Sequence, residues 1–439
     1  MLRAIALYAL VLVGMPLSVF QPFSGLLLYL FFAHGHPADF VWPGYIFNYG
    51  LFLAPSLLLG YVLFELRKSP PRLRGMLLLI AFWGWLTVAA GLAFDRTVAL
   101  DKLMQFSKMF IIAFLVAAMA ISEDRVRKVL LVIGASLGVL GLKSLLSIIV
   151  TAGRYRIQGP GGLMAEENEY ALGMNMAIPI LYWLGSVEDR RWLRNFFRAA
   201  AFACGITVLF TRSRSGLLGL ITVCLLIAVY SRRKLLAPVL LAVFVALFTL
   251  FAPEAAIERY KTIPTASETD PSAIGRIQAW ETAIQMAKAH PFFGVGLRNF
   301  EITFPNYSDF EPRAPHNAFI ALTAESGIPS SILFILLVLG ASGSAWAGRR
   351  RLRFDPASRR LATYCLIVHV TLLVYIVPNF FINRQDFDLM YHLVGLSAGM
   401  SVAVSRRLAE LQETVTTEEE PQIAENDEMI GARWAAEVE

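Results

Sequence analysis

Long apolar runs separated by short charged or Gly/Pro-rich breaks dominate this chain. They fall at about 4–20, 44–64, 76–93, 103–121, 129–150, 169–186, 197–211, 215–230, 235–251, 328–347, 361–381 and 389–404. At about 1.5 Å of rise per residue, most of these runs match the roughly 30 Å of a bilayer's hydrocarbon core. The pattern predicts an all-α polytopic membrane protein with about 12 transmembrane helices. The run Phe23 to Phe32 makes only about 15 Å of helix and is expected to be a broken or re-entrant continuation of the first span.

Basic residues set the expected orientation. Clusters such as Arg67-Lys68, Arg125 to Lys128, Arg190-Arg191, Arg232 to Lys234, Arg349 to Arg353 and Arg406-Arg407 share one side if the spans alternate. By the positive-inside rule that side is the cytoplasm, and an even number of spans leaves both termini there. The opposite side has short loops and one long segment, Ala252 to Gly327. The expected organisation is therefore transmembrane helices over 1–251, an extracytoplasmic loop with amphipathic helices over 252–327, further transmembrane helices over 328–404, and a tail over 405–439. The tail carries Glu418-Glu419-Glu420 and is expected to be disordered. A soluble loop as long as 252–327 is uncommon unless it is functional, so chemistry is expected outside the cytoplasm.

Composition narrows the class. Of 439 residues, 56% are hydrophobic and 16% charged, with a mean hydropathy of +0.58. These values exclude a soluble enzyme, a nucleic-acid-binding module and a disordered hub. The net charge of +6 has meaning only loop by loop. Cys204, Cys224 and Cys365 all lie inside apolar runs and read as small buried hydrophobes, not as a disulfide framework.

Candidate chemistry concentrates in and near the long loop. Ser272 can cap a helix whose apolar positions Ile274, Ile277, Trp280 and Ile284 recur at helical spacing, with Arg276 on its polar face. Such a helix can lie on the membrane with Trp280 at the headgroup level and Arg276 near phosphates, although a solvated arginine would give the same pattern. Pro315-His316-Asn317 precedes a second helical pattern, Ala318 to Ser326, which would put His316 in a first helical turn. The helix dipole there disfavours imidazolium and keeps a neutral base available. Arg212 and Arg214, in Thr211-Arg-Ser-Arg-Ser-Gly216, suit phosphate oxygens or membrane-edge snorkelling. Arg156 and the Glu166-Glu167-Asn168-Glu169 run add polar groups on the same side. Asp386-Phe-Asp388 has a spacing that can hold a divalent cation, but one such tripeptide is common by chance, and no metal site is expected. Neither a Walker A motif, a dinucleotide fingerprint, an H-E-x-x-H nor a G-x-S-x-G occurs.

Several of these elements together resemble the O-antigen ligase and polysaccharide polymerase superfamily of bacterial envelope glycosyltransferases. They are Thr211-Arg-Ser-Arg214-Ser-Gly, Arg276 with Trp280, Pro291-Phe-Phe-Gly-Val-Gly-Leu, and Pro315-His316-Asn317-Ala-Phe leading to Glu325-Ser-Gly-Ile, covering about residues 150–345. The N-terminal stretches Pro22 to Leu28 and Pro43 to Leu53 are similar to the O-glycosylation ligase branch associated with exosortase systems. The resemblance implies transfer of a glycan from undecaprenyl diphosphate to a hydroxyl acceptor, in ligases the lipid A core oligosaccharide. It also implies a GT-C-like scaffold in the inner membrane, an active site facing the periplasm, and no metal or other cofactor. Carried over by position, His316 would be the base, with Arg214 and Arg276 on the diphosphate and Arg212 as the alternative to Arg214. Arg156, Glu167, Asn168, Asn317 and Glu325 are candidate acceptor or sugar contacts. A glycan polymerase and a protein O-oligosaccharyltransferase share these elements, and a transporter of an anion or lipid-linked sugar would use the same cationic layer.

Overall fold

The computed structural model describes residues 2–37, 48–68, 73–231, 234–251 and 271–438, and among them no strand occurs. The first part of the expected long loop, 252–270, and the Pro43 end of one resemblance motif lie outside the described residues. Ten helices come first: α1 (Leu2–Phe20), α2 (Pro22–Gly35), α3 (Gly50–Gly60), α4 (Leu77–Gly91), α5 (Arg96–Met119), α6 (Glu123–Val150), α7 (Glu167–Val187), α8 (Arg191–Phe210), α9 (Arg214–Tyr230) and α10 (Leu236–Phe251). Three short or amphipathic helices follow, α11 (Pro271–Ala289), α12 (Phe300–Thr303) and α13 (Ala318–Ser326). The chain then returns to the bundle as α14 (Ile328–Leu352), α15 (Arg359–Ile376) and α16 (Asp388–Val438).

Seven helices, α1, α5, α6, α7, α8, α14 and α15, are long and apolar enough to cross a membrane, and α2, α3, α4, α9 and α10 are shorter apolar helices. The protein is thus an all-α polytopic membrane protein. In α7 and α15, 83% of the apolar window is buried within the protein, against 39% in α14, so these two form the centre of the bundle. Peripheral apolar side chains such as Ile149 (67% exposed) and Leu225 (62% exposed) point outward, as a lipid-facing surface requires. Small residues let the inner helices approach closely. A Cβ on Gly141 of α6 would come 2.5 Å from the sulfur of Cys204 on α8, so this free, buried cysteine fills space as expected.

Helix α2 departs from the sequence expectation. It does not continue α1 but turns back after Gln21 and packs antiparallel to it, with Gly25 against Ser18 and Phe32 clustered with Leu7 and Val11. One end of α2 lies by Arg125, whose guanidinium sits 4.9 Å from the Phe23 ring, and the other reaches His392 through His34. Helix α1 consequently starts at the end of the bundle where α11–α13 lie, here called the loop end. At about 21 Å, α2 is short for a bilayer, but α1, α3 and α6 surround it, so it need not match the lipid. The second departure is the tail: where no order is expected after Arg407, α16 runs on to Val438, through a segment rich in the helix formers Glu, Ala and Gln.

Close approach of α1 and α3 rests on Gly60, where a Cβ would meet the carbonyl oxygens of Ser18 at 2.3 Å and Val19 at 2.5 Å. Gly60→Ala should force these backbones apart and cost about 1–3 kcal/mol, the usual range for overpacking. Thermal unfolding of detergent-solubilised parent and variant measures this, with a lower midpoint expected for the variant.

Candidate active site

The loop-end site is built around α13, which the Pro291–Gly296 turn clasps. Val295 N donates to Ala324 O (2.9 Å), Gly296 N to Glu325 O (2.8 Å) and Ile328 N to Pro291 O (2.8 Å). Glycine is needed where the chain leaves α13: Gly327 has φ 85°, and a Cβ there would sit 1.8 Å from Phe292 O. Trp85 of α4 stacks on Phe293 at 5.1 Å and donates to Ser326 O at 3.0 Å. Asn299 grips Asp95 by accepting from its N–H (2.7 Å) and donating to its carbonyl (3.1 Å). The P-F-F-G-V-G motif therefore fastens α13 to the ends of α4 and α5.

Helix α11 packs on the protein by the face away from its isoleucines. Ala279, Ala283 and Met286 point inward and join Val295, Phe300, Phe304 and Ala324, whereas Ile274, Ile277 and Ile284 are exposed. The Trp280 indole N–H donates to Pro315 O at 2.5 Å and steadies the turn before His316. Arg276 lies one turn earlier on the same helix.

His316 does not occupy the first helical turn. Asn317 is the N-cap of α13, its Oδ1 accepting from Phe319 N and Ile320 N (both 3.0 Å), so His316 stands just before the cap with φ 44°. Burial comes first in lowering its pKa below the histidine value of 6.5, followed by the positive charges of Arg276 and Arg384. The neutral imidazole is favoured, but by desolvation and two guanidiniums instead of the dipole argument made from sequence.

Arg384 was not singled out in the sequence. It sits between α15 and α16, 3.2 Å from Glu169 on α7 and 3.9 Å from Asp386, which in turn pairs with Lys102 of α5 at 2.6 Å. Its available signal was a polar run, Asn383 to Asp386, between two apolar spans. Lys102, Arg384 and Asp386 line a cavity of about 600 Å³ together with Pro315, Arg298 and Glu325. Glu325 is 6% exposed, and burial pushes its pKa up to about 7 despite hydrogen bonds from the N–H groups of Arg298 and Phe300 and the charge of Lys102.

The arginine turn before α9 stands across from this cavity's rim, tied to it through α7. Arg212, with φ 56°, donates to the carbonyls of Gly153 (3.3 Å) and Arg154 (3.1 Å), so its guanidinium braces a neighbouring loop. Arg214 opens α9 directly after the cap Ser213. Ser213 Oγ donates to Asn168 Oδ1 at 2.7 Å, and Glu169, the next residue, holds Arg384. Arg156 pairs with Glu167 at 2.5 Å and donates to Thr211 O at 3.0 Å. Arg156, Glu167, Asn168 and Asn317 are thus bound up in positioning the two turns, while Glu325 faces the cavity. The Asp386-Phe-Asp388 pair splits, Asp386 going to Lys102 and Asp388 to a pair of histidines.

Residues 199–335 match the family model described as O-antigen ligase. That match supports the O-antigen ligase superfamily for this chain. The matched segment contains Arg212, Arg214, Arg276, His316, Asn317 and Glu325, and the match implies a glycosyltransferase-like enzyme. Lys102, Arg156, Glu167, Asn168 and Arg384 reach the ligase-family segment from outside it. No curated protein matches the chain.

Glu325 gives the site a measurable pH signature. Its folded-state pKa of about 7 lies above the ordinary 4.5, so the fold favours the protonated carboxyl. The resulting stabilisation is fully present below pH 4.5 and is lost as pH rises through about 7. Glu325→Gln should flatten the unfolding midpoint across that window while leaving the remaining pH dependence in place, as read by thermal unfolding at a series of pH values.

Proposed function

We propose that the protein is an O-antigen ligase: an inverting, metal-independent glycosyltransferase that moves a glycan from undecaprenyl diphosphate to a hydroxyl of lipid A core oligosaccharide. The observation that carries this reading is His316, a neutral-leaning imidazole at the cap of α13, in the field of Arg276 and Arg384 and next to a cavity of about 600 Å³. In this reading the site faces the periplasm of a bacterial inner membrane. The basic clusters at the opposite ends of the helices support that orientation.

In the proposed reaction His316 takes the proton of the acceptor hydroxyl as its oxygen attacks the anomeric carbon. The bond from that carbon to the diphosphate oxygen breaks, and inversion follows from attack opposite the leaving group. Negative charge develops on undecaprenyl diphosphate, where Arg214 and Arg276 donate to phosphate oxygens in a low-dielectric layer. Arginines there do the work a divalent cation would otherwise do. Arg212 is the weaker of the two turn candidates because its guanidinium already donates to Gly153 and Arg154 carbonyls.

The test is single-turnover transfer by purified protein, using defined lipid-diphosphate-linked glycan and separate acceptors: lipid A core, peptide and a second glycan. Product on lipid A core supports a ligase, product on peptide or glycan redirects the acceptor, and movement of donor without a new glycosidic bond would mean a carrier. His316→Ala should lower the rate about 10²–10⁴-fold, the range for loss of a general base, with donor binding retained. Because its pKa lies below 6.5, the parental rate should persist as pH falls past 6.5 and drop only at lower pH. Loss of donor binding in this variant would make His316 a diphosphate ligand instead.

Arg276→Ala and Arg214→Ala should each remove most transfer and weaken donor binding, and lysine at either position should rescue poorly if the contact is bidentate. Omitting Mg²⁺ and Mn²⁺ should leave the parental rate unchanged. Full activity in either alanine variant removes that arginine from the site.

A further inference from the structure

Below the loop-end cavity, three residues from the two ends of the chain meet. His34, in the last turn of α2, and His392, one turn inside α16, are 0% and 1% exposed, and their facing ring nitrogens (Nε2 and Nδ1) lie 3.0 Å apart. Asp388 precedes His392 by four residues and so shares its helix face. One ligand atom from each of the three lies within 4.8 Å of the others. The remaining ring nitrogens, His34 Nδ1 and His392 Nε2, are buried without a hydrogen-bond partner.

A histidine pair that serves only packing is expected to be satisfied, and His369 in this protein shows the difference. It is also buried, but Tyr230 OH meets its Nε2 at 3.0 Å and Ser342 Oγ its Nδ1 at 2.8 Å. Two neutral imidazoles facing each other share a single N–H···N bond, leaving one donor and one acceptor stranded. An ion between the facing nitrogens would replace that single shared bond with two coordinate bonds, each ring keeping its proton on the outer nitrogen. The carboxylate beside them supplies the negative charge that a cation needs in a low-dielectric setting.

We propose that His34, His392 and Asp388 form a binding site for one transition-metal ion of the Zn²⁺ class. Two nitrogens at Zn–N bonds of about 2.0–2.1 Å in tetrahedral geometry stand about 3.3 Å apart, a few tenths of an ångström wider than the present pair. Binding then needs only a small opening of the two rings and a tautomer shift that carries the shared proton to the outer nitrogen of its own ring. Imidazole nitrogens with one carboxylate suit Zn²⁺, Co²⁺ or Ni²⁺ over Mg²⁺, which prefers oxygen ligands. The fourth position is open to water or to His36, which follows α2 with φ 45° and lies close enough to Asp388 to act on its charge.

The ion would tie α2 to α16 across 358 residues of sequence and fix the start of α16. The short stretch before it carries Arg384 and Asp386, so the site is a staple for the cationic layer and takes no part in bond breaking. The inference does not depend on the glycosyl-transfer reading, since its readout is metal binding.

The experiment uses full-length protein in detergent, carrying no polyhistidine tag and dialysed against chelator. Calorimetric titration with Zn²⁺ should show one tight site per chain and a raised unfolding midpoint, whereas Mg²⁺ should show neither. His392→Gln and Asp388→Asn should each weaken Zn²⁺ binding by at least the ~10–100-fold that loss of a supporting residue costs. Titration of the parent with Co²⁺ should give the visible absorption of a tetrahedral nitrogen and oxygen site. This measurement needs no variant, so it decides the matter even if the substitutions impair folding. Absence of a tight Zn²⁺ site, a Co²⁺ spectrum of the aqueous ion, or unchanged affinity in folded His392→Gln would overturn the proposal.

Discussion

Cations gathered at one end of an apolar bundle repel one another, and the carboxylates set between them are what the loop-end architecture depends on. Asp386 stands between Arg384 at 3.9 Å and Lys102 at 2.6 Å, and Glu169 holds Arg384 at 3.2 Å. Each pair joins a different helix to the segment between α15 and α16, so α5, α7 and that segment are located by charge as well as by apolar packing. In a medium of low dielectric an unpaired member of such a chain would be expensive. A cationic field nevertheless acts on His316, where the Arg276 and Arg384 guanidiniums both disfavour imidazolium.

A second dependence is mechanical. Helix α13 is nine residues long, too short to be stable alone. It persists because the glycine turn returns two backbone hydrogen bonds to its last residues, a third fastens Ile328 just beyond it, and Trp85 closes over the junction. Asn317 finishes its other end, which is where His316 stands. His316 and the clasp are therefore two ends of one short element, and the P-F-F-G-V-G motif positions His316 without touching it.

Much of this was legible in the sequence, for identifiable reasons. Hydropathy found the spans because lipid-facing and core-facing positions are both apolar, and the arginine turn, Arg276 and His316 stood out because charge is costly at such depths. Helix α2 was misread because fourteen residues fall below the length a bilayer demands, and only its burial among α1, α3 and α6 lets it stand as a separate helix. The core face of α11 was not legible because its contacts are Ala279 and Ala283, small residues that hydropathy ranks below the isoleucines of the outward face. Arg384 was missed because its partner Glu169 lies more than two hundred residues away, and the pairing of His34 with His392 was invisible for the same reason.

The left-handed backbone at His316, with φ 44°, also governs what evolution can try there. Non-glycine residues enter this region at a cost of about 1–2 kcal/mol, with asparagine and aspartate the readiest and β-branched side chains the least tolerated. A drifting sequence therefore meets a conformational filter at this codon before it meets a chemical one. Valine, isoleucine and threonine are refused by the main chain whatever else they would do, and glycine or asparagine pass it while discarding the imidazole. Arg212 and Arg298 stand under the same filter, at 56° and 57°. At these positions natural variation is narrowed by backbone geometry as much as by function, and an invariant residue there carries information about both.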